Sequence, residues 1–539
     1  MKVLIGNAWT FANGSLHIGH LSSNLPGDVI ARYYRSKGDE VYFVSGTDCH
    51  GTPIELRAKQ EAKTPQEISD YYHNEYVACF EQLGFTFDHY GKTSSSEHAD
   101  FVKQFHKEMY EGEYIYEKEE LAAFCEHCNI ALADRFITGK CPSCGSRARG
   151  DQCDSCGSII DAESLTEAEC AICGSAPVFR PANHLFLAIS KFRCGLEAFV
   201  GARPTWRKNA IGLTRRYIDE GLRDRAITRD LEWGIDVPKE GYEGKKIYVW
   251  AENVLGYLSM ANSLSLARGE DPTELWAQGT MHYYVHGKDN IPFHTIVLPS
   301  LMLAHGGEWK LPDNIISSEF LTLEGRKIST SENWAIFAKD LLATRQPDSI
   351  RYFLIANAPE RRDADFTWRE FVNSNNSELL GSYGNFINRT LAFIYKYMGG
   401  VVPCGTVDPQ IETRMDRLFT SVGKQIENGD IKDALFEIFE FVRFANKYYD
   451  AHRPWETASS DLSHCAQTIF NCVQIAANLA VLLKPFIPFS SEKIVKWLGI
   501  DDSWSLKSIP ALLPIPEPEL LFERLDKKTV EEELVKLGI

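Results

Sequence analysis

The sequence lacks long apolar runs. No stretch of its 539 residues contains the ~18 uninterrupted apolar residues that a membrane-spanning helix needs. The apolar run near the N-terminus, residues 3–5, is too short for the core of a secretory signal peptide. These absences argue against an integral membrane protein and against a secreted protein, so we expect a cytoplasmic protein with no membrane partner.

The sequence also lacks low-complexity segments and an excess of positive charge. Hydrophobic residues make up 44% of the chain and charged residues 24%, proportions that exclude disorder over most of its length. Lys and Arg together number 57 against 74 Asp and Glu, which gives a net charge of −17. A surface that is basic on all sides is excluded, so any nucleic acid must bind a local basic area.

Cysteine, in contrast, is clustered. Eight of the 14 cysteines form four Cys-x-x-Cys pairs within one 49-residue window. In a large chain without a signal peptide this spacing favours zinc over disulfides, which are the alternative. Two thiolate pairs close one tetrahedral site, and without His or carboxylate in the pattern both sites should be structural. We expect a nested arrangement, with Cys141, Cys144, Cys153 and Cys156 as the inner site and Cys125, Cys128, Cys170 and Cys173 as the outer site.

The first part of the chain predicts a βαβ unit. A strand at residues 3–5 is followed by a glycine-containing loop, an amphipathic helix and a strand at 41–44. Pro26 lies about two turns into the helix and predicts a kink or a break there. From about 115 to 225 the composition changes to Cys, Gly, Ser and short polar turns, which indicates an insertion.

The α/β pattern resumes after this insertion. Strand patterns occur at 247–250 and 281–285, with a helix predicted at 293–304 and a further strand at 314–323. Residues 373–500 then carry almost only helical periodicity, followed by a proline-marked connection and a charged amphipathic helix. We predict an α/β protein with a split Rossmann-like parallel sheet, a zinc-knuckle insertion and a C-terminal all-α helical bundle.

Two polar motifs are candidates for a phosphate-binding site. His17 and His20 lie between the first strand and its helix, where free N–H groups favour a phosphate, and Gly19 allows a flat base to approach. The alternative is that the two histidines are capping or surface residues. Residues 323–331 form a glycine-hinged polar loop in which Arg326 and Lys327 are adjacent cations, and the alternative there is a solvated turn.

Together the two motifs resemble the signatures His-Ile-Gly-His and Lys-Met-Ser-Lys-Ser of class I aminoacyl-tRNA synthetases. The closer resemblance, over about residues 1–500, is to the methionyl-tRNA synthetase family. It is carried by ANGSLHIGH at 12–20, TDCHGTP at 47–53, GKDNIPFH at 287–294 and DADFTW at 363–368, together with the cysteine knuckles.

The resemblance implies formation of methionyl-adenylate from methionine and ATP, and transfer of methionine to the 3′-terminal ribose of its tRNA. It also implies a division of the chain into five parts. These are the first half of the catalytic domain (1–114), the connective insertion with the knuckles (115–225), the second half (226–317), the signature-loop and tRNA-stem-contact region (318–372), and the helical anticodon-binding domain with its tail (373–539).

The resemblance assigns four groups of site residues. His17, His20 and Lys327 are the catalytic residues, and magnesium accompanies ATP. The nucleotide site comprises Gly19, Lys288, Asp289, Lys327 and Ser329. The methionine pocket comprises Asp48 as partner of the ammonium, with Trp250, Tyr257 and His294 as walls, and the anticodon site comprises Asn385, Arg389 and Trp455.

Simpler alternatives exist for some of these residues. Trp250 and Tyr257 are seven residues apart and also suit one core face of a helix, while thioether contacts with aromatic rings favour a pocket. Trp455 follows a proline, where a tryptophan also serves as a packing anchor, although stacking on an unpaired base is its family role.

The sequence departs from the family pattern in the loop and near the pocket. Thr330 replaces the second signature lysine and Ile328 the methionine, and Arg326 is a candidate to compensate for the lost charge. The residues bordering the pocket also differ, at Trp9, Phe11, Asn253 and Val254. Two further hypotheses therefore stand beside an active, monomeric ligase: a non-catalytic RNA-binding paralogue, and an enzyme that activates a different amino acid or uses another carrier.

Overall fold

The structure is a computed structural model that describes residues 1–132, 136–150, 153, 155, 156, 158, 160, 162–330 and 332–539. Ser331, the last residue of the polar loop, lies outside the described residues. The strands in chain order are β1 Lys2–Asn7, β2 Thr10–Phe11, β3 Glu40–Asp48, β4 His89–Lys92, β5 Ile115–Cys125, β6 Ile130–Ala131, β7 Ile137–Lys140, β8 Arg147–Arg149, β9 Thr166–Cys170, β10 Val178–Leu187, β11 Arg225–Ala226, β12 Thr228–Arg229, β13 Lys246–Ile247, β14 Met281–Gly287, β15 Asn314–Ser318, β16 Leu321–Leu323, β17 Arg326–Lys327 and β18 Ala364–Phe366.

The helices are concentrated in the second half of the chain. Two π-helical segments, Phe293–Val297 and Asn375–Gly384, precede α9 and α13. The α-helices are α1 Ile18–Ser36, α2 Thr52–Glu61, α3 Pro65–Gln82, α4 Ser96–Tyr110, α5 Arg193–Gly201, α6 Lys208–Asp219, α7 Val249–Glu252, α8 Gly256–Ala267, α9 Leu298–His305, α10 Ala338–Thr344, α11 Pro347–Ala356, α12 Trp368–Ser374, α13 Asn385–Tyr397, α14 Pro409–Glu427, α15 Ile431–His452, α16 Pro454–Ser460, α17 Leu462–Leu483, α18 Pro488–Leu498 and α19 Lys528–Leu537.

The central sheet is parallel and joins two distant parts of the chain. Its order is β15–β14–β1–β3, with β2 and β4 also paired to β3. Val3 of β1 pairs with Val41 of β3 and with Met281 of β14. The insertion therefore separates, along the chain, strands that are direct neighbours in the sheet. The predicted split Rossmann-like fold is confirmed.

Both faces of this sheet are covered, which explains its apolar strands. Along β1, Val3 and Ile5 belong to the core shared with α1, α3 and the helical domain, whereas Leu4 belongs to the core shared with α4, α8 and α9. The alternation follows the two-residue period of a strand. Because β1, β3 and β14 are parallel, their carboxyl ends lie at the same edge of the sheet. Ligands bind at this edge in folds of this class.

Helix α1 is continuous through Pro26, so the predicted break is wrong. The helix packs closely on the sheet: a Cβ on Gly27 would lie 2.0 Å from Oδ1 of Asn7. The Asn7 amide also donates a 2.9 Å hydrogen bond to the carbonyl of Asn24. These contacts hold the helix against the sheet on both sides of the proline.

Two strand predictions need correction. Within residues 247–250 only Ile247 is in a strand, the two-residue β13, and Val249–Glu252 is helix α7. A short apolar run suits a buried helix as well as a strand, which explains the error. The predicted strand at 314–323 divides into β15, in the central sheet, and β16, in a separate sheet.

The insertion is an antiparallel structure built around the cysteine pairs. Strands β5 and β10 pair from Ile115↔Leu187 to Phe124↔Val178. Strand β7 pairs with β8 and β9. The small core between these strands includes Cys125, Cys141, Cys153 and Cys170, so the cysteines replace much of the apolar packing that so short an insertion could supply.

The C-terminal helical domain is confirmed. The helices α13, α14, α15 and α17 match the periodic segments of the sequence, and α19 supplies the amphipathic helix near the C-terminus. Among the described residues, α17 is the one helix whose length and composition would suit a membrane span, but 89% of its most apolar window is buried in the protein. Helix α17 is therefore the core helix of this domain.

Candidate active site

His17 and His20 cap helix α1 with their side chains. Nδ1 of His17 accepts from the backbone N–H of Gly19 at 3.1 Å, and Nδ1 of His20 accepts from the backbone N–H of His17 at 3.2 Å. The two rings stack with centroids 3.8 Å apart. Gly19 is required here, since a Cβ at this position would lie 2.9 Å from the His17 ring.

This arrangement fixes the protonation of both imidazoles. Desolvation lowers the pKa of His17 to about 4. Desolvation, and then the neighbouring His17, lower the pKa of His20 well below its usual range. Both rings are therefore neutral at pH 7, and because each Nδ1 accepts a hydrogen bond, the remaining proton lies on Nε2. Each ring thus has an Nε2–H group available to donate to a ligand.

The polar loop is a hairpin between β16 and β17. Glu324 and Gly325 both have positive φ, 47° and 76°, which is the pattern of a two-residue type I′ turn. The Gly325 N–H donates to both oxygens of Asp365, at 2.9 and 3.0 Å. The Glu324 carboxylate accepts from the N–H of Trp368 at 2.8 Å. The DADFTW segment therefore fixes the turn that carries the two cations.

The structure brings the two signature motifs into contact. A Cβ on Gly19 would lie 3.6 Å from Cδ1 of Ile328, so the loop packs directly over the start of α1. The chain beyond the loop runs along the first motif, where the N–H of Ile18 donates to the carbonyl of Ile336 at 3.1 Å. The N–H of Ala338 donates in turn to the carbonyl of Leu16 at 2.8 Å.

The cations near this contact differ in their partners. Lys288 pairs with Glu319 at 2.7 Å and Asp363 at 2.9 Å. Lys327 is exposed and has no ion pair among the described residues, and its Nζ lies 5.6 Å from the centre of the Phe320 ring, which Lys288 also covers. The ammonium of Lys327 is therefore available to a ligand, whereas that of Lys288 is already neutralised.

Arg326 is also held by the protein. Its guanidinium lies 4.1 Å from the centre of the Trp334 ring and 3.4 Å from the Glu332 carboxylate. Thr330 is exposed, Ser329 pairs through its backbone with Trp334, and Asp289 is exposed on a short 3-10 helix. Arg326 is therefore held by two residues, Glu332 and Trp334, that lie shortly after Thr330 in the chain.

Asp48 is buried at the end of β3. Its Oδ1 accepts from the backbone N–H of His50 at 3.2 Å. Burial, and then the nearby charge of Glu252, raise the pKa of the Asp48 carboxyl well above its usual range. A cationic group entering beside Asp48 would restore its ionised form, which is the behaviour expected of an ammonium-binding acid.

Tyr257 and His294 meet in the core of the protein. The Tyr257 hydroxyl lies 2.9 Å from Nε2 of His294, and Nδ1 of His294 lies 2.8 Å from the carbonyl of Asn290. Because Nδ1 must donate to that carbonyl, Nε2 accepts from the tyrosine. Trp250 is half-buried and packs on Phe293 at a ring distance of 4.4 Å.

The buried ring of Trp9 adds a residue that sequence reasoning left without a role. A Cβ on Gly46 would lie 2.2 Å from this ring and one on Gly256 2.4 Å from it, so two glycines leave the space that it fills. Trp9 meets Tyr257 edge-on at 6.2 Å. The departure from the family pattern at Trp9 is therefore accommodated by Gly46 and Gly256, which leave space for its ring.

His286 was missed by the sequence analysis. Its ring stacks on His294 with centroids 4.1 Å apart, and its Nε2 is buried without a hydrogen-bond partner in the described part of the chain. Burial lowers its pKa well below the usual range. His286 therefore presents a neutral ring behind His294.

The eight knuckle cysteines form two tetrads in the nested arrangement that the sequence predicts. Within each tetrad all four sulfur atoms lie within 4.8 Å of one another. The Cys125–Cys173 and Cys141–Cys156 sulfur distances are 3.5 and 3.8 Å. Four sulfurs at ~2.3 Å from a tetrahedral zinc ion would be about 3.8 Å apart, so both tetrads fit zinc.

The three anticodon candidates lie on the helical domain. The guanidinium of Arg389 lies 4.2 Å from the Tyr449 ring and 5.5 Å from the Trp455 ring, and it pairs with Asp450 at 2.7 Å. Trp455 is 48% exposed and stacks on Tyr449. Asn385 is one turn before Arg389 on α13 and is half-buried. Arg389 and Trp455 therefore share one surface, which leaves an aromatic face open.

Comparison with known proteins agrees with this geometry. The family described as "tRNA synthetases class I (M)" matches residues 3–391, and the "Anticodon-binding domain of tRNA ligase" matches residues 408–536. The chain is 50% identical to methionine–tRNA ligase 1 of Alkaliphilus oremlandii over 540 residues, covering 100% of both chains. The chain belongs to the methionyl-tRNA synthetase family. It is an aminoacyl-tRNA synthetase, a methionine–tRNA ligase.

A second relative supports this assignment, and a solved structure supports the fold. The methionine–tRNA ligase of Bacillus mycoides is 50% identical over 542 residues, covering 100% of this chain and 99% of that one. The structure of the Mycobacterium tuberculosis methionyl-tRNA synthetase in complex with methionyl-adenylate superposes with a TM-score of 0.82. That structure covers 97% of this chain at 22% identity, a level that supports the fold alone.

Proposed function

We propose that this methionyl-tRNA synthetase forms methionyl-adenylate where its two signature motifs meet, and then esterifies the 3′-terminal ribose of the methionine tRNA. The observation that carries the proposal is the contact of Gly19, which lies between His17 and His20, with Ile328 of the loop that presents Lys327. Two motifs about three hundred residues apart thus border one site at the carboxyl edge of the parallel sheet.

The first step needs no general base, because the substrate carboxylate is already ionised at pH 7. A carboxylate oxygen forms a bond to the α-phosphorus of ATP, the bond from that phosphorus to the β-bridging oxygen breaks, and pyrophosphate leaves with the electron pair. Rate acceleration must therefore come from positioning and charge stabilisation. The Nε2–H groups of His17 and His20 would donate to phosphate oxygens, and magnesium accompanying ATP would screen the remaining charge.

Lys327 is the residue proposed to meet charge that develops on pyrophosphate. Its exposed ammonium lacks an ion pair among the described residues, so no internal salt bridge must break first. Gly19 leaves room for the nucleotide, and Lys288, Asp289 and Ser329 border it. Because Lys288 is paired with two carboxylates, we assign it to holding the loop region rather than to neutralising phosphate.

In the methionine pocket, Asp48 is proposed to bind the α-ammonium. The Tyr257–His294 pair would contact the thioether, and Trp250 would form a wall. A polarizable sulfur gains ~0.3–1.5 kcal/mol from an aromatic contact. Since His294 holds the tyrosine hydroxyl as a donor, the oxygen of Tyr257 presents lone pairs to the pocket, which disfavours side chains that end in a carbonyl.

The tRNA is proposed to bind across the helical domain, with Trp455 stacking on an unpaired anticodon base and Asn385 and Arg389 bonding base edges. The cysteine tetrads would each hold one zinc ion, which would stabilise the insertion without entering the reaction.

We further propose a monomer in the cytoplasm with no membrane partner. This agrees with membership of a family of soluble translation enzymes and with the burial of α17.

Lys327→Ala in the methionine-dependent ATP–pyrophosphate exchange assay tests the site. We expect the exchange rate to fall by about 10²-fold with little change in KM for methionine or ATP, because the ammonium acts mainly in the transition state. Arg326→Ala is the matched control, since its guanidinium is held by Glu332 and Trp334, and it should change the rate by no more than about threefold. A silent Lys327→Ala together with an inactive Arg326→Ala would contradict the assignment.

A further inference from the structure

A buried acidic cluster lies behind Asp48. The carboxylate of Glu252, at the end of α7, is completely buried. Its Oε1 lies 2.8 Å from Nδ1 of His50 and 3.4 Å from Nε2 of His98. His50 follows β3 and His98 belongs to α4, so one carboxylate joins three segments that are far apart in the sequence.

The same cluster contacts Asp48. The backbone N–H of His50 donates to Asp48, while the ring of His50 contacts Glu252, so this residue holds both acids. The far side of His98 is fixed as well, because its Nδ1 lies 2.8 Å from the hydroxyl of Ser259 in α8.

Burying two carboxylates at this depth costs free energy unless the negative charge of each is compensated by hydrogen bonds or by a positive charge. His50 is within hydrogen-bonding distance of one oxygen of Glu252, Oε1, and Nε2 of His98 lies near the same atom without a hydrogen bond. The other oxygen, Oε2, is buried without a hydrogen-bond partner among the described residues. Purely structural packing would be served as well by an apolar side chain of similar volume. A negative charge kept beside an ammonium-binding acid instead favours a cationic ligand at this point.

We infer that Glu252 is a positioning residue for the α-ammonium of the substrate. Through His50 it orients the loop that holds Asp48, and its negative charge stabilises the cation that Asp48 binds. The inference rests on the proposed role of Asp48. Because Glu252 is completely buried and acts through His50 and Asp48, we expect it to affect the binding of methionine and to leave the chemical step unchanged.

The test compares Glu252→Gln with the unchanged protein in methionine-dependent pyrophosphate exchange. We expect KM for methionine to rise about 10-fold, while kcat and KM for ATP change less than about twofold. Glu360→Gln is the matched control: Glu360 is also a buried carboxylate, but its partners are Arg207 and the N–H of Lys432, away from the pocket. It should leave KM for methionine unchanged.

Two analogues separate ammonium recognition from general damage to the pocket. The amino alcohol methioninol keeps the amine, whereas the 2-hydroxy acid analogue of methionine lacks it. Glu252→Gln should weaken inhibition by methioninol by about the factor found for methionine and leave inhibition by the hydroxy acid unchanged. Equal weakening of both analogues, or equal increases of both KM values, would show a merely structural role and overturn the inference.

Further variants keep the test decisive. If Glu252→Gln does not fold, His98→Leu should raise KM for methionine and His98→Gln, which keeps a donor for Glu252, should restore most of the loss; no difference between the two would overturn the inference. Asp48→Asn serves as the reference. If it raises KM for methionine while Glu252→Gln and His98→Leu do not, the inference fails and the proposed site stands; if it too is silent, both fail.

Discussion

At the scale of single residues, capping and catalysis are compatible roles for the two signature histidines. The sequence offered them as alternatives. In the structure each Nδ1 accepts a backbone N–H group of the first turn, and this leaves each Nε2–H free to donate. Capping therefore orients the rings for phosphate binding, a result that spacing alone could not give because it depends on side-chain rotamers.

Other residue-scale features depend on contacts distant in the sequence. The tetrads were predictable because Cys-x-x-Cys spacing constrains zinc ligands locally. The space for Trp9 was not, since Gly46 and Gly256 come from different elements. His286 was missed because a histidine inside an apolar strand pattern resembles any other satisfied core residue.

The buried histidines give a pH prediction. Burial lowers the pKa of His106 to about 4, and its two nitrogens are satisfied in the neutral form by Tyr110 and the carbonyl of Ala251. The unfolded chain, with a histidine pKa near ~6.5, binds more protons between pH 6.5 and 4, so stability falls as the pH is lowered through this window. One such group contributes about 2 kcal/mol between pH 7 and pH 5.

Urea unfolding at pH 7 and pH 5 measures this effect. His106→Gln, which keeps hydrogen-bonding capacity without titrating, should reduce the loss of unfolding free energy between the two pH values by about 2 kcal/mol. An unchanged pH dependence in this variant would show that His106 is protonated in the folded state.

At the scale of elements, periodicity gave the long helices correctly and the short elements poorly. The bundle helices span enough turns for their apolar faces to be recognised, whereas residues 247–252 are too few to distinguish a strand from a buried helix. The turn at Glu324 and Gly325 was recognisable as a glycine hinge, but its attachment to Asp365 required the fold.

The knuckle region is the element whose stability should depend on metal. Elemental analysis of metal-replete protein should give about two zinc ions per chain, and Cys141→Ser should reduce this to about one, because the outer tetrad does not share its ligands. Cys194→Ser is the control, since Cys194 is exposed and lies outside both tetrads. A value near zero or one in the unchanged protein would refute the two-site proposal.

At the scale of the whole molecule, the helical domain is joined to the catalytic sheet through buried polar contacts. Arg351, completely buried in α11, donates to Asp28 of α1 at 2.7 Å. It also donates to the carbonyls of Pro485 and Phe486, between α17 and α18. The helix that begins with the signature histidines is thus connected to the domain that is proposed to read tRNA.

The split sheet and the C-terminal helical bundle were predictable from sequence, but the way they pack together was not. Strand patterns before and after the cysteine-rich segment indicate a split sheet, since a parallel sheet needs crossovers. The neighbouring positions of β1 and β14 and the burial of Arg351 depend on contacts across hundreds of residues, which local periodicity cannot show.

Parallel exchange and charging assays on Trp455→Ala test most directly whether one chain activates methionine at the sheet and reads tRNA on the helical domain. The unchanged protein should support both exchange and charging with methionine. No other amino acid should support either reaction at a comparable rate. Trp455→Ala should lower charging by about 10- to 100-fold through lost stacking and leave exchange nearly intact. Phe436→Ala, which removes another exposed aromatic of this domain, should change neither. Equal losses in both assays for Trp455→Ala, or exchange that does not depend on methionine, would contradict the account.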